Sequence, residues 1–160
     1  MAIVKKNSRA HKSRNQAVTL EDLRKIFEES GIRLTPQRLE IFKEISRAKD
    51  HPSAEILYER LKRRMPTISL DTIYRTLSTF ENMGLIRKVH LLYEHARFEP
   101  DMVPHHHFIC TSCKKIIDFE WPEFDAADLP ENIKEFGRIM EQQVELRGLC
   151  RECLEKKGNK

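Results

Sequence analysis

The residues with the clearest chemistry in this sequence are its four cysteines, which form two CxxC pairs and leave no cysteine over. The first pair is Cys110 and Cys113, and the second pair, Cys150 and Cys153, follows after 36 intervening residues. Two residues between cysteines let one tight turn direct both thiolates at one ion, and two such turns complete a tetrahedral sulfur site. A closed site of this kind favours zinc and stabilises a fold without catalysing a reaction. The spacing therefore predicts one structural Zn²⁺ per subunit.

Three other uses of paired cysteines fit this sequence less well. Two disulfide bonds are disfavoured in a cytoplasmic chain, and a thioredoxin-like dithiol needs a CxxC at the start of a helix. A zinc deaminase combines PCxxC with a His-x-Glu motif. This chain contains no His-x-Glu sequence and no proline directly before either pair.

Three consecutive histidines, at positions 105–107, stand just before the first cysteine pair. In a strand, the first and third of them project to one face and the second projects to the other. If a hairpin pairs Cys110 with Lys115, His107 lies directly opposite Asp118. Imidazoles facing a carboxylate form a set of nitrogen and oxygen ligands, which suits Fe²⁺, Mn²⁺ or Zn²⁺.

Two further candidate ligands lie near the predicted domain boundary. His51 precedes Pro52 and the third predicted helix, and Glu99 ends the second strand of a predicted hairpin. Taken singly, His51 also fits a surface histidine, and Glu99 and Asp118 also fit solvated strand residues. Composition alone does not decide between these interpretations.

Charge divides the chain into two unlike halves. Residues 1–90 carry 19 Lys and Arg against 11 Asp and Glu, a net of +8, whereas residues 91–160 carry 10 against 14, a net of −4. A basic half suits a polyanion, and an acidic half suits cations or a partner subunit. Chance distribution of surface charge is the alternative, and the motifs must decide between the two.

Composition and length indicate the broad class of protein. The chain has 160 residues, of which 39% are hydrophobic and 34% are charged. It has no apolar run approaching the length of a transmembrane span, and residues 1–16 lack the apolar stretch of a secretory signal. We therefore expect a cytoplasmic protein of one domain or two small domains.

Helix signals follow one another through the first half of the chain. Four polar residues stand where a helix N-cap is expected: Thr19, Thr35, Ser53 and Ser69. Gly31 and Gly84 stand where the first and fourth helices should end. Helical spacing predicts these inward-facing residues: Leu20, Leu23, Phe27, Leu39, Phe42, Ile45, Ile56, Leu57, Leu61, Leu70, Ile73, Leu77 and Phe80.

A two-stranded hairpin over 85–89 and 97–99 is predicted directly after the fourth helix. Helices followed by such a hairpin are typical of a winged helix, whose last helix lies in the DNA major groove. The outward face of that helix carries Asp71, Tyr74, Arg75 and Ser78. A simple surface ion pair between Asp71 and Arg75 is the alternative, but the basic half and the wing favour DNA contact.

The chain is therefore predicted to have an α+β fold with three parts. Residues 1–17 form a basic flexible arm, residues 18–100 a winged-helix DNA-binding domain, and residues 101–160 a metal-binding α/β domain with the four-cysteine zinc site. The second domain contains short strands, a helix near residues 130–139, and a final strand before the last cysteine pair.

The stretch from Gly31 to Cys153 resembles the ferric uptake regulator family. Six motifs carry the resemblance: IRLTPQR at 32–38, DHPSAEILY at 50–58, DTIYRTL at 71–77, RFEP at 97–100, HHHFICTSCKKIIDF at 105–119 and GLCREC at 148–153. The combination is specific, because the winged-helix pattern, the histidines and both cysteine pairs occur in the family's order and spacing.

The resemblance implies a homodimer that binds double-stranded operator DNA, with the C-terminal domain as the dimerisation domain. It implies one regulatory Fe²⁺ or Mn²⁺ per subunit, with the ligands His51, Glu99, His105, His107 and Asp118. It also implies that Tyr74 and Arg75 read the major groove and that Arg33 lies near the DNA backbone or minor groove. Metal occupancy would then be coupled to DNA affinity.

Two features indicate different branches of that family. Asp118 within IIDF is similar to the peroxide-sensing branch, because many iron-uptake regulators have glutamate there. Arg75 is similar to the iron-uptake branch, and Glu99 differs from the aspartate usual in peroxide sensors. We give the peroxide-sensing branch preference.

A third metal site found in the family is expected to be absent here. That site needs a histidine eight residues before the third cysteine, where this chain has Gln142. Pro104 likewise replaces a histidine. His106 and Asp125 are then expected to bind no ion.

The resulting expectation is a metal-dependent transcriptional repressor and not an enzyme. Peroxide, its only small-molecule signal, is expected to inactivate it through iron-catalysed oxidation of His51 and His105, by likeness to the peroxide sensors. The alternative is an iron-responsive repressor of iron-uptake genes without peroxide sensing. A metal-dependent hydrolase is a third possibility, but the sequence contains no hydrolase motif. No membrane partner is expected.

Overall fold

The computed structural model describes residues 18–89 and 95–158. The predicted basic arm over residues 1–17 lies outside the described residues. The described residues belong to two compact units, and the division falls between Met102 and Val103. Among these residues, no helix is both long enough and apolar enough to cross a lipid bilayer.

The first unit is the predicted winged helix. Its elements are α1 (Leu20–Glu29), α2 (Pro36–Ser46), α3 (Ala54–Leu61), α4 (Leu70–Asn82), β1 (Arg87–Val89) and β2 (Arg97–Glu99). The two strands pair antiparallel, with Lys88 opposite Phe98. The predicted first strand began at Leu85, but Leu85 and Ile86 are buried in the helical core and the strand starts only at Arg87.

Each of the four helices begins at the predicted N-cap. The side chains of Thr19, Thr35, Ser53 and Ser69 each accept a hydrogen bond from the backbone N–H three residues later. Gly84 follows α4 with φ +67°, a left-handed conformation that favours glycine. Local capping therefore sets the helix bounds that the sequence predicts.

Phe80 of α4 lies at the centre of the helical core. Its ring makes edge contacts with Phe27, at 6.1 Å between centroids, and with Phe42, at 5.7 Å. The helical spacing overstated the burial of four residues, because Leu20 is exposed and Leu39, Ile56 and Leu70 are only partly buried. Each lies at the edge of its helix's apolar stripe; on α2, for example, Ile41, Phe42 and Ile45 face the core instead.

The second unit contains a three-stranded sheet with the order β4-β3-β5. Its elements are β3 (His106–Cys110), β4 (Ile116–Phe119), α5 (Pro122–Asp125), α6 (Glu131–Lys134), β5 (Glu145–Gly148) and α7 (Arg151–Gly158). Strand β3 pairs antiparallel with β4 and parallel with β5. The helix predicted near 130–139 is shorter, because α6 ends at Lys134 and Gly137 adopts φ +140°, which no α-helix contains.

We predict that Phe80→Ala lowers the free energy of unfolding by about 3 to 5 kcal/mol, because it leaves a cavity between three helices. Urea denaturation followed by circular dichroism measures the change. Glu81→Ala, at the exposed neighbouring position of α4, is the control and should stay within about 0.5 kcal/mol of the wild type. Equal stability of the two variants would contradict the central position of Phe80.

Candidate metal centres

The second unit brings all four cysteines together. Cys110 ends β3 and its N–H donates to the Lys115 carbonyl, at 2.9 Å, which closes the tight turn that carries Cys113. The second pair lies where β5 leads into α7, and the parallel ladder places Cys110 opposite Gly148. As a result, the four sulfur atoms lie within 4.8 Å of one another.

The spacing of the sulfur atoms fits a tetrahedral zinc ion. Zinc–sulfur bonds of about 2.3 Å in a tetrahedron separate neighbouring sulfur atoms by about 3.8 Å. Cys113 Sγ lies 3.7 Å from Cys150 Sγ.

The pKa values of the cysteine thiols differ because the thiols have different hydrogen-bond partners and different burial. The backbone N–H groups of Cys150 and Cys113 lower the pKa of the Cys110 thiol to about 5. The N–H of Cys153 acts to lower the pKa of Cys150, but burial and the neighbouring thiols outweigh it and raise that pKa to about 12. Since all four sulfurs must be deprotonated to bind a metal, loading this cluster releases protons.

A second cluster in the same unit combines two imidazoles with a carboxylate. His107 pairs with Asp118 across β3 and β4, which is the register predicted from the turn. The Nε2 atoms of His105 and His107 are 3.0 Å apart. Asp118 Oδ1 lies 3.8 Å from the first and 3.6 Å from the second. Both histidines are buried, whereas Asp118 is exposed, so the nitrogen ligands of this cluster lie away from bulk water and the carboxylate lies at the surface.

His106 faces the opposite side of the sheet, as strand alternation predicts. Its ring contacts those of Phe119 and Phe124, its Nδ1 accepts a hydrogen bond from Val144 N–H, and its Nε2 lies 3.3 Å from Asp125 Oδ1. At the position of the family's histidine, Gln142 Nε2 donates to the carbonyls of Phe124 and Asp125. This side of the sheet is thus held by ring contacts and hydrogen bonds.

In the first unit, His51 and Glu99 form a buried pair, with 2.8 Å between His51 Nε2 and Glu99 Oε2. The Phe98 N–H donates to the Pro52 carbonyl, and this bond ties the loop before α3 to β2. His51 has φ +47°, which is uncommon for a residue other than glycine. A costly backbone conformation at a buried polar residue is typical of functional positions. The grouping of all five predicted ligands around one ion stays a prediction.

The predicted DNA-contact residues are exposed on the first unit. Tyr74 is 42% exposed and its hydroxyl donates to Glu55 of α3. Arg75 Nε lies 2.9 Å from Asp71 Oδ2, so the surface ion pair considered as an alternative does form. Arg33 precedes α2 and is exposed.

Two residues that contact the predicted site residues were not predicted from the sequence. Glu55 lies beside Tyr74, and Gln143 lies beside the histidine cluster. Glu55 accepts from Tyr74 and also lies 3.4 Å from Nδ1 of His95, in the wing. Gln143 contacts both His105 and His107. No local pattern marks either residue, because their partners lie 19 to 40 positions away along the chain.

Comparisons with known proteins identify similar chains. A family model described as the ferric uptake regulator family matches residues 29–146. The peroxide-responsive repressor PerR of Staphylococcus epidermidis is 33% identical over 141 residues, which cover 88% of this chain and 93% of that protein.

Two solved structures are also similar. The ferric uptake regulator of Helicobacter pylori, reported with three functional metal binding sites, has a TM-score of 0.72 and 26% identity, covering 84% of this chain and 91% of the other. The ferric uptake regulator of Francisella tularensis, solved with iron, has a TM-score of 0.67 and 28% identity, covering 78% and 96%.

We predict that Cys110→Ser or Cys150→Ser abolishes zinc binding and unfolds the second unit, because structural zinc contributes about 10 to 16 kcal/mol in small folding units. Zinc content by mass spectrometry and limited proteolysis measure both effects. Ser112→Ala, between the first two cysteines, is the control and should retain zinc. A folded serine variant that lacks zinc and still dimerises would refute the structural role.

Proposed function

This chain belongs to the ferric uptake regulator family, and from that premise we propose that it is a metal-dependent transcriptional repressor inactivated by peroxide. The observation that carries the proposal is the pair of chemically distinct clusters on β3. One contains only sulfur ligands, and the other contains only imidazole and carboxylate ligands. The first suits a permanent structural ion, and the second suits an exchangeable regulatory ion.

The four cysteines bind one structural Zn²⁺ per subunit. The separation of the sulfur atoms supports this assignment. The two CxxC pairs also supply four sulfur ligands, which is the number that a tetrahedral zinc ion needs. A closed sulfur site holds the turn after β3 against the start of α7 and leaves no position for a substrate.

His51, Glu99, His105, His107 and Asp118 bind one regulatory Fe²⁺ or Mn²⁺ per subunit. In support, the first two form a buried pair in one unit and the other three form a cluster in the second unit. Carboxylates and imidazoles that are already close together favour a divalent cation, because the ion neutralises the charge of the carboxylates and accepts the imidazole lone pairs. An ion bound by ligands from both units would couple metal occupancy to the arrangement of the units that DNA binding requires.

The first unit binds operator DNA through α4. The basic N-terminal half attracts the phosphate backbone, and the exposed Tyr74 and Arg75 offer polar groups to base edges. Arg33 contacts the backbone or the minor groove. Breaking the exposed Asp71–Arg75 pair costs only a few tenths of a kcal/mol, roughly, so Arg75 can exchange it for DNA. We place this activity in the cytoplasm, where the DNA is.

The protein acts as a homodimer through the second unit. Phe108 pairs with Ile117 on one side and Leu146 on the other, so an apolar row crosses all three strands. Ile117 and Leu146 are more than two fifths exposed, at 41% and 44%. A two-fold partner would cover this row with an identical row and would place two winged helices on an inverted repeat.

Peroxide is the signal that ends repression. The likeness to the peroxide-responsive repressor and the aspartate at position 118 support this choice. His51 and His105 would hold the regulatory Fe²⁺, which would supply redox chemistry there when bound. Either imidazole would accept one oxygen atom from peroxide while the other oxygen leaves as water. An oxidised ring is a poorer ligand, so oxidation would weaken metal binding and with it DNA affinity.

Two alternatives make different predictions. An iron-responsive repressor without peroxide sensing is favoured by Arg75 and by glutamate at position 99. A metal-dependent hydrolase would need an open coordination position and a general base. Added Mn²⁺ or Fe²⁺ should raise DNA affinity if the protein is a repressor, and should support turnover if it is a hydrolase.

We predict that Arg75→Ala weakens operator binding by about 1 to 3 kcal/mol with little effect on random DNA, because a base contact is lost. Arg33→Ala should weaken both and reduce the salt dependence by about one counterion, because a phosphate contact is lost. Fluorescence anisotropy at several salt concentrations measures both effects. Arg138→Ala, in the second unit, is the control. Equal losses on operator and random DNA for Arg75→Ala would exclude base reading.

We predict that a substoichiometric peroxide dose adds one oxygen atom to His51 or His105 of the Fe²⁺-bound protein. The oxidised protein should then dissociate from DNA. The Mn²⁺ form should bind DNA and resist peroxide, because Mn²⁺ reacts poorly with it. Asp118→Glu should retain metal and lose sensitivity. Peptide mapping by mass spectrometry measures the oxidation. Unmodified histidines with intact DNA binding would favour the iron-responsive alternative.

A further inference from the structure

The amide of Gln143 lies between two groups of the regulatory cluster. Its Nε2 is 2.8 Å from the His105 carbonyl oxygen and 3.1 Å from His107 Nδ1. A carbonyl oxygen only accepts hydrogen bonds, so the atom facing it must be the amide nitrogen. The same NH₂ group therefore donates to His107 Nδ1, which must carry a lone pair there. The ring proton of His107 then lies on Nε2.

The contacts of His105 also place the ring proton of His107 on Nε2. His105 Nδ1 lies 2.7 Å from the Val103 carbonyl oxygen, so this nitrogen carries the proton and donates it. His105 Nε2 consequently has a lone pair. It lies 3.0 Å from His107 Nε2, whose proton it accepts. From Gln143, these hydrogen bonds run in one direction through His107 and His105 to the Val103 carbonyl oxygen.

We propose that Gln143 is a positioning residue that holds His107 in the tautomer opposed to metal binding and thereby lowers the metal affinity of this cluster. The inference rests on the proposed regulatory site. Both Nε2 atoms are the ones directed toward Asp118, so they are the ligand atoms. His105 presents a lone pair at Nε2, whereas His107 presents a proton there.

Metal binding by His107 then requires two changes within the second unit. The ring proton must move from Nε2 to Nδ1, and Gln143 must withdraw its N–H from Nδ1. Partners of metal-binding histidines usually accept a hydrogen bond from the second ring nitrogen and so support the ligand. Gln143 donates a hydrogen bond instead. Removal of an accepting partner weakens metal binding, whereas removal of the Gln143 amide should strengthen it.

Gln143 contributes little to the sheet itself. The side chain is exposed, and the backbone bond from His107 N–H to the Val144 carbonyl, at 3.1 Å, ties this segment to β3 without it. The ladder from His107 to Cys110 continues that pairing along β5. Substitutions of Gln143 should therefore leave the fold intact and change only the state of His107.

The test compares Mn²⁺ binding to the zinc-loaded full chain for the wild type, Gln143→Met, Gln143→Glu and Gln142→Met. Free Mn²⁺ is measured by electron paramagnetic resonance. Gln143→Met should bind Mn²⁺ about fivefold more tightly than the wild type. This change corresponds to the loss of one hydrogen bond, from Gln143 to His107 Nδ1, that stabilises the tautomer opposed to metal binding. Gln143→Glu should bind more tightly still, because its carboxylate accepts from Nδ1–H and also attracts the ion. Gln142→Met, whose amide donates to two α5 carbonyls, should match the wild type.

A second readout needs no regulatory ion. In zinc-loaded protein without Mn²⁺, ¹⁵N correlation spectra should place the His107 proton on Nε2 in the wild type, and Gln143→Met should increase the Nδ1–H form. Unchanged or weaker Mn²⁺ binding by Gln143→Met, or an Nδ1–H form already dominant in the wild type, overturns the inference. Absence of Mn²⁺ binding by the wild type would instead overturn the proposed regulatory site, and the spectra would still decide the tautomer.

Discussion

The antiparallel register of β3 with β4 is the constraint on which both candidate metal centres depend. The hydrogen bond from Cys110 N–H to the Lys115 carbonyl closes the turn, and the same register places His107 opposite Asp118. A slip of one residue would move every side chain of β3 to the other face and separate the ligands of both clusters. Zinc bound to Cys110 and its three partners would therefore stabilise the strand that carries the regulatory histidines. A structural ion and a regulatory ion would share one hairpin.

The chemistry of the two clusters keeps their functions apart. Thiolates bind zinc tightly and in closed tetrahedra, whereas imidazoles and carboxylates bind several divalent ions with moderate preference. Because no cysteine lies among His105, His107 and Asp118, an oxidant that acts there meets imidazole before sulfur. The affinity of such a site depends on the neighbours of its ligands as well as on the ligands, and Gln143 is a neighbour that contacts both histidines.

The proposed DNA-binding side of the first unit consists of polar groups that already have partners. Arg75 contacts Asp71 and Tyr74 contacts Glu55, and all of these bonds lie at exposed positions. Exposed ion pairs contribute little to stability, so DNA can replace them at small cost. Glu55 also approaches His95 of the wing, so one carboxylate connects α3, α4 and the wing. The proposed recognition surface therefore already has contacts among its polar groups, and DNA would exchange these contacts for its own.

The sequence by itself determined those features that depend on a few neighbouring residues. Thr19, Ser53 and Ser69 begin their helices because a cap needs only the next three residues, and the two faces of the 105–107 histidines follow from strand geometry. Contacts between distant residues depended on the tertiary structure. The extent of α2's buried face, which leaves Leu39 at its edge, follows from the packing of neighbouring helices. The contacts of Gln143 with two histidines and of Glu55 with Tyr74 have no local signal. They arise where separate elements meet, and hydrogen bonds there depend on ångström-scale placement that spacing along the chain does not encode.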